Sequence, residues 1–219
     1  YMMSVRNHFK LNITILLFLA CMLAPTKSTI EGHHFEKFFY IQGGPKYMYY
    51  FATFDVGTPE KLQSVIIDTG SDTMAFPCET CHGRNCGSHQ YPRFSPENSS
   101  TFKYKIRCTN PQHLGGHQVC KFVKSYAEGS SLYGFLADDL VRFKSAKRVY
   151  GNKLNELNRK LVKDIRLQTE FGCTEKETGL FKTQYADGIL GLDDQSEFIN
   201  SLEQFNGNGS KVFSLSLIN

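Results

Sequence analysis

From Tyr49 to Val56 apolar and polar residues alternate loosely, and from Leu62 to Ile67 the run is nearly continuous. Both read as strands, the second buried on both faces, in an antiparallel sheet packed on both sides. Lys121 to Glu128 and Gly134 to Phe143 read as two further strands joined by Gly129-Ser130-Ser131-Leu132, a hairpin with a glycine in its turn. Phe171-Gly172-Cys173 opens another strand, Asp187 to Leu192 the next and Val212 to Leu217 the last. Helical spacing occurs twice: in Leu154, Leu157, Leu161 and Ile165, which predict an amphipathic helix, and in Ser196 to Phe205. The pattern is all-β with one or two short helices.

The beginning of the chain differs from the rest. Arg6, His8 and Lys10 precede an apolar stretch from Leu11 to Ala24, and Thr26-Lys27-Ser28 follows with small residues. Residues 1–28 therefore read as a secretory signal peptide. The apolar stretch is shorter than the roughly 20 residues that cross a bilayer. A signal anchor is the alternative. Residues 29–46 form a short linker or remnant pro-segment, and 47–219 the folded part. The leader also explains the charge. The formal +4 includes Arg6, Lys10 and Lys27 and no acid from the leader; without them 22 basic residues face 21 acidic ones. So balanced a chain gives no reason to expect nucleic acid as a partner. Basic residues concentrate instead in an insertion at 144–168, most simply a solvated one.

Candidate chemistry begins where the continuous strand ends. Val65-Ile66-Ile67 runs straight into Asp68-Thr69-Gly70-Ser71. A carboxylate at the end of a buried strand needs hydrogen bonds, because burying it unpaired costs several kcal/mol, in order of magnitude. Gly70 lets the backbone approach it, and the hydroxyls of Thr69 and Ser71 can donate to it or lock the loop. An ordinary strand-to-turn aspartate would look the same in isolation.

Seven cysteines are present, and Cys21 falls in the leader. The remaining six, Cys78, Cys81, Cys86, Cys108, Cys120 and Cys173, are an even number behind a secretory leader and read as disulfides of unknown pairing. Two alternatives stay open. Cys78, Cys81 and Cys86, with His82 and His89 nearby, have zinc-ligand spacing, and Cys78-x-x-Cys81 has redox spacing. Asn98-Ser99-Ser100 and Asn208-Gly209-Ser210 are glycosylation sequons at Asn98 and Asn208.

The stretch Val65 to Ser71 resembles the active-site loop of the pepsin-like aspartic proteases, and the resemblance extends from about Tyr47 to the end. Tyr49 to Pro59 resembles that family's first hairpin with its Gly-Thr-Pro turn, Tyr126-Ala127-Glu128-Gly129-Ser130 its flap, and Ala186 to Leu192 the strand that crosses under the active-site loop. The cysteine-rich loop region at 78–120 and the wording from Tyr126 to Asp139 are similar to the nepenthesin-type and plasmepsin V-like branch. One departure matters. The family places a Trp seven residues after its aspartate, hydrogen-bonded to the flap Tyr, and this chain has Ala75.

The resemblance implies the N-terminal lobe of a bilobal all-β fold and an aspartic endopeptidase. Asp68 would be one catalytic acid, supported by Thr69, Gly70 and Ser71, with Tyr126, Glu128 and Gly129 in the flap over the substrate. Two carboxylates about 3 Å apart share one proton and activate a water between them. Neither cofactor nor metal is needed. The expected partners are a polypeptide substrate and a C-terminal lobe carrying the second Asp, since only one Asp-Thr-Gly occurs before Asn219. The chain by itself is expected to be inactive. The reading places the protein in the secretory pathway and leaves open a membrane contact through the leader or a segment beyond Asn219. The competing class is a secreted peptide- or carbohydrate-binding module that kept the lobe and lost the chemistry.

Overall fold

The computed structural model describes residues 2–6, 37–147, 160–205 and 212–216. Strands β1 (Met2–Arg6) and β2 (Lys37–Gly44) lead into β3 (Tyr49–Val56) and β4 (Lys61–Asp68), and β5 (Met74–Pro77) follows the Asp68 loop. The cysteine-rich stretch holds only short strands, β6 (Lys103–Tyr104), β7 (Gln112–Leu114) and β8 (His117–Val119). Then β9 (Lys121–Ser125) and the long β10 (Ser131–Lys147) form the expected hairpin, and β11 (Lys160–Glu177) runs back along β10. Strand β12 (Gly188–Gly191), helix α1 (Glu197–Phe205) and β13 (Val212–Ser216) complete the order.

The pairings close on themselves. β3 pairs β4, β4 pairs β12, β12 pairs β5, β5 pairs β11, β11 pairs β10, and β10 returns to β3 through Val141 opposite Val56. Closure removes free edges from this part of the sheet. Two of the pairs are parallel, β12 with β4 and β11 with β5. The strand that carries Asp68 thus has an antiparallel neighbour on one side only. The run expected to be buried on both faces is fully buried only at Gln63, Ser64 and Val65; Ile66 and Ile67 are partly buried and Leu62 is exposed.

One other expectation changes. Leu161 and Ile165 lie in β11, opposite Ala146 and Phe143, so the predicted amphipathic helix does not include them. Ile165 is buried in a cross-strand pair, a packing gain that outweighs local helical spacing. Leu154 and Leu157 lie outside the described residues. So does the expected leader apart from Met2–Arg6, which pairs with β2 and β13.

The main core gathers Phe54, Phe76, Phe94, Phe135, Phe171 and Phe198 with Val65 and Leu190. Phe76 stacks on Phe171 at 4.6 Å between ring centres. Helix α1 adds Phe198, Ile199 and Leu202 to it. A smaller cluster, Ala75, Phe122, Leu132, Phe181 and Ile189, lies under the hairpin. Three disulfides join Cys78 to Cys173, Cys81 to Cys86 and Cys108 to Cys120. Cys78, Cys81, Cys86, Cys108, Cys120 and Cys173 are therefore all paired, which leaves neither a thiolate for zinc nor a free Cys78-x-x-Cys81. Among the described residues no helix is long and apolar enough to cross a membrane.

Candidate active site

Asp68 is the last residue of β4, and its carboxylate is held by its own loop. Gly70 N–H donates to Oδ1 at 2.9 Å, and the Ser71 hydroxyl to Oδ2 at 2.5 Å. Thr69 is exposed and makes no hydrogen bond to the carboxylate, so Ser71 and the Gly70 backbone orient Asp68. The neighbours of the carboxylate are therefore a hydroxyl and an amide, an arrangement that fixes its rotamer and leaves lone pairs for a water.

The loop takes its shape from β12. Leu192 N–H donates to the Asp68 carbonyl at 2.8 Å, Gly191 N–H to the Thr73 carbonyl at 3.0 Å and Asp193 N–H to the Ser71 carbonyl at 3.0 Å. Such contact needs glycine. A Cβ on Gly191 would come within 2.4 Å of Thr73 N, and one on Gly188 within 1.9 Å of the Ala75 carbonyl oxygen. The Gly188-Ile189-Leu190-Gly191 motif is thus a strand with two bare backbone faces and two apolar side chains, Ile189 in the smaller cluster and Leu190 in the main core.

The β9–β10 hairpin brings Tyr126 to the same place. Tyr126 N–H donates to the Ser130 carbonyl at 2.9 Å, and Gly129 N–H to the Tyr126 carbonyl at 2.9 Å, with Gly129 at φ +92°. Glu128 and Gly129 are exposed at the tip, whereas Tyr126 is half-buried, its ring 5.0 Å from Phe181. Ala75 and Phe181 share the small cluster against which Tyr126 packs. The Tyr126 hydroxyl is shielded from solvent without a partner at hydrogen-bond geometry. Burial pushes its phenol up to about 12; the nearby Ser71 hydroxyl opposes that shift and the charge on Asp68 adds to it.

A second group of buried polar residues supports β4 from its other end. Asp187 accepts from Ser64 N–H at 2.6 Å, from the Ser64 hydroxyl at 2.5 Å and from Tyr91 N–H at 2.8 Å. Burial pushes its carboxyl up, against the pull of these donors. Beside it, His89 Nε2 lies 3.0 Å from Glu177, which also accepts from Gly87 N–H at 2.8 Å. Burial works to lower the His89 pKa, but the Glu177 carboxylate outweighs it and holds the imidazole above its usual range. Asp187, Glu177 and His89 thus fasten the cysteine-rich loop to β4 and β11. On the opposite side, Asp139 is fully buried and accepts from Ser99 and Thr101, which in turn hold the Gly57-Thr58-Pro59 turn.

Sequence reasoning missed these struts. Their signal was weak: acids beside Ser, Thr and Gly in strand-like surroundings. Asn98 is exposed, with its amide donating to the Ser95 hydroxyl at 2.8 Å; Asn208 lies outside the described residues.

Known proteins share sequence with this chain. Residues 50–219 match the family model described as Xylanase inhibitor N-terminal. The chain is similar to plasmepsin V of Plasmodium falciparum, 35% identical over 151 residues, covering 67% of this chain and 23% of that protein. It is similar to aspartic protease 5 of Toxoplasma gondii, 34% identical over 165 residues, 67% of this chain and 15% of that protein. Against aspartic proteinase nepenthesin-2 of Nepenthes gracilis it is 30% identical over 143 residues, 63% of this chain and 28% of that protein. The chain thus spans about a quarter or less of the length of the first two relatives.

Proposed function

Because the chain belongs to the pepsin-like aspartic proteases, as the N-terminal lobe that the Xylanase inhibitor N-terminal family describes, we propose that it supplies one half of an aspartic endopeptidase. The observation that carries this reading is the Asp68 carboxylate, fixed by Gly70 and Ser71 at the end of β4 with Tyr126 beside it. In the reaction Asp68 shares a proton with a second carboxylate. The ionised member takes a proton from water, the water oxygen attacks the peptide carbonyl, and the protonated member donates to the carbonyl oxygen. The pair titrates as a unit.

The second carboxylate comes from a C-terminal lobe outside these 219 residues, a reading supported by the greater length of the relatives. The flap closes over a polypeptide substrate, with Glu128 at its tip to meet a basic side chain. Three disulfides support an oxidising, secretory compartment. The Asp68 cradle supports this reading over that of a binding module without chemistry.

The test is Asp68→Asn in the intact protein. Peptide cleavage should disappear while the unfolding midpoint stays near wild type, and a statine-type mimic should block the wild-type activity. Undiminished turnover by Asp68→Asn would rule Asp68 out as the catalytic acid.

A further inference from the structure

The flap strand is tied to the active-site loop by a charge pair. Lys124 lies in β9, two residues before Tyr126, and Asp72 lies four residues after Asp68. The Lys124 ammonium sits 2.7 Å from Asp72 Oδ1 and 2.8 Å from Oδ2. The Thr73 hydroxyl donates to the same carboxylate at 2.6 Å and fixes its orientation. Burial works to raise the Asp72 carboxyl, but Lys124 and Thr73 hold it below its usual range, so it is ionised at neutral pH.

Around this pair there is space rather than packing. Asp72 and Lys124 line a cavity of about 470 Å³ with Thr73, Met74, Phe122 and Leu136. Phe122 also belongs to the small cluster against which Tyr126 packs; the Tyr126 ring lies 5.0 Å from that of Phe181, and its hydroxyl lacks a hydrogen bond. Position 75, at the root of the loop, is alanine and offers no polar group to the flap.

We infer that Lys124 is a positioning residue: its ion pair with Asp72 clasps the flap to the catalytic loop and sets how readily the flap opens. This rests on the flap reading of the β9–β10 hairpin. The side chains are about one-third exposed, 35% for Lys124 and 32% for Asp72, so the clasp is weak enough to open during turnover. Exposed pairs of this kind shift an equilibrium about 1.5- to 5-fold.

Hydrogen exchange of the intact protein tests it without needing catalysis. At low salt, peptides covering residues 121–130 should exchange about 1.5- to 5-fold faster in Lys124→Met than in wild type. Lys124→Arg should restore the slow rate. At about 1 M salt the wild type should match Lys124→Met, because screening there acts within a few ångström. Exchange in β4 and β11 should not change. Steady-state kinetics gives a second arm: KM should rise by a similar factor in Lys124→Met, with kcat moving less. Equal flap exchange in wild type and Lys124→Met at low salt would overturn the clasp. A speed-up spread evenly through β4 and β11 would also overturn it, as general loss of stability. If Asp68→Asn retains peptidase activity, the catalytic reading fails, and the exchange result still decides the clasp.

Discussion

Asp187→Asn separates a structural acid from a catalytic one. Asp187 immediately precedes β12, whose register sets Gly188 opposite Val65 and Gly191 opposite Asp68. It therefore aligns with Ser64, four strand positions from Asp68, or about 13 Å along the strand. Partner carboxylates in an aspartic dyad lie about 3 Å apart, so Asp187 is too far away to serve as the second acid. Its work is the three hydrogen bonds it accepts from Ser64 and Tyr91. Asparagine keeps one acceptor oxygen, which can hold both Ser64 donors. Its amide nitrogen would then face Tyr91 N–H, donor against donor. Leaving a buried donor unpaired costs about 1–3 kcal/mol, and removing the burial penalty on the Asp187 charge returns part of that. The expected net loss is about 1–2 kcal/mol, or roughly 2–8 °C in Tm for a domain of this size. Urea unfolding at neutral pH measures it, and peptidase activity per folded molecule should stay near wild type. Stability within about 0.5 kcal/mol of wild type would refute the strut. Full stability with lost activity would place Asp187 in the chemistry.

Gly191→Ala should push the loop at residues 71–73 out of place, since its Cβ would sit 2.4 Å from Thr73 N; we expect a loss of about 1–3 kcal/mol in denaturant unfolding together with a fall in kcat. Tyr126→Phe removes a shielded hydroxyl without a hydrogen-bond partner, so thermal unfolding should show no loss of stability or a gain of up to about 1 kcal/mol; a large loss would mean that the hydroxyl is bonded. The His89–Glu177 pair gives a pH signature. Because the folded state raises the His89 pKa above 6.5, its contribution is whole below that value and fades as pH rises through the folded pKa. Wild type should lose stability relative to His89→Gln as pH rises above about 6.5; parallel stability curves would show that the pair contributes nothing.

Local pattern carried much of this architecture. The Asp68 loop, the Gly129 hairpin and the Gly188-Ile189-Leu190-Gly191 strand are contiguous motifs whose turns and periods sit within a few residues of one another. What pattern could not show was long-range. Nothing local tells Cys78 to choose Cys173 rather than Cys81, and nothing near Asp187 announces Ser64 on the neighbouring strand. The Lys124–Asp72 pair depends on how the hairpin folds over the loop. Leu161 and Ile165 show the opposite failure: helical spacing was present, but pairing along β10 buried Ile165 against Phe143 and won. Thr69 shows a finer limit. Its hydroxyl was as plausible a donor as that of Ser71, and only the turn geometry decided between them.

The placement of β12 between β4 and β5 has a consequence for biosynthesis. Ser64 and its partner Asp187 are separated by 123 residues. At ribosomal speeds of about 5–20 residues per second, roughly 6–25 s pass between the making of the Asp68 strand and the arrival of the segment that braces it. During that interval β4 has one unpaired flank and the loop at 69–73 has no template. The geometry around Asp68 is therefore a late product of folding, reached only after the chain has closed a large loop. Defects at residues 187–192 should then appear in cells first as misfolding and aggregation, with activity per folded molecule spared only where the change leaves the loop at 71–73 in place, as in Asp187→Asn.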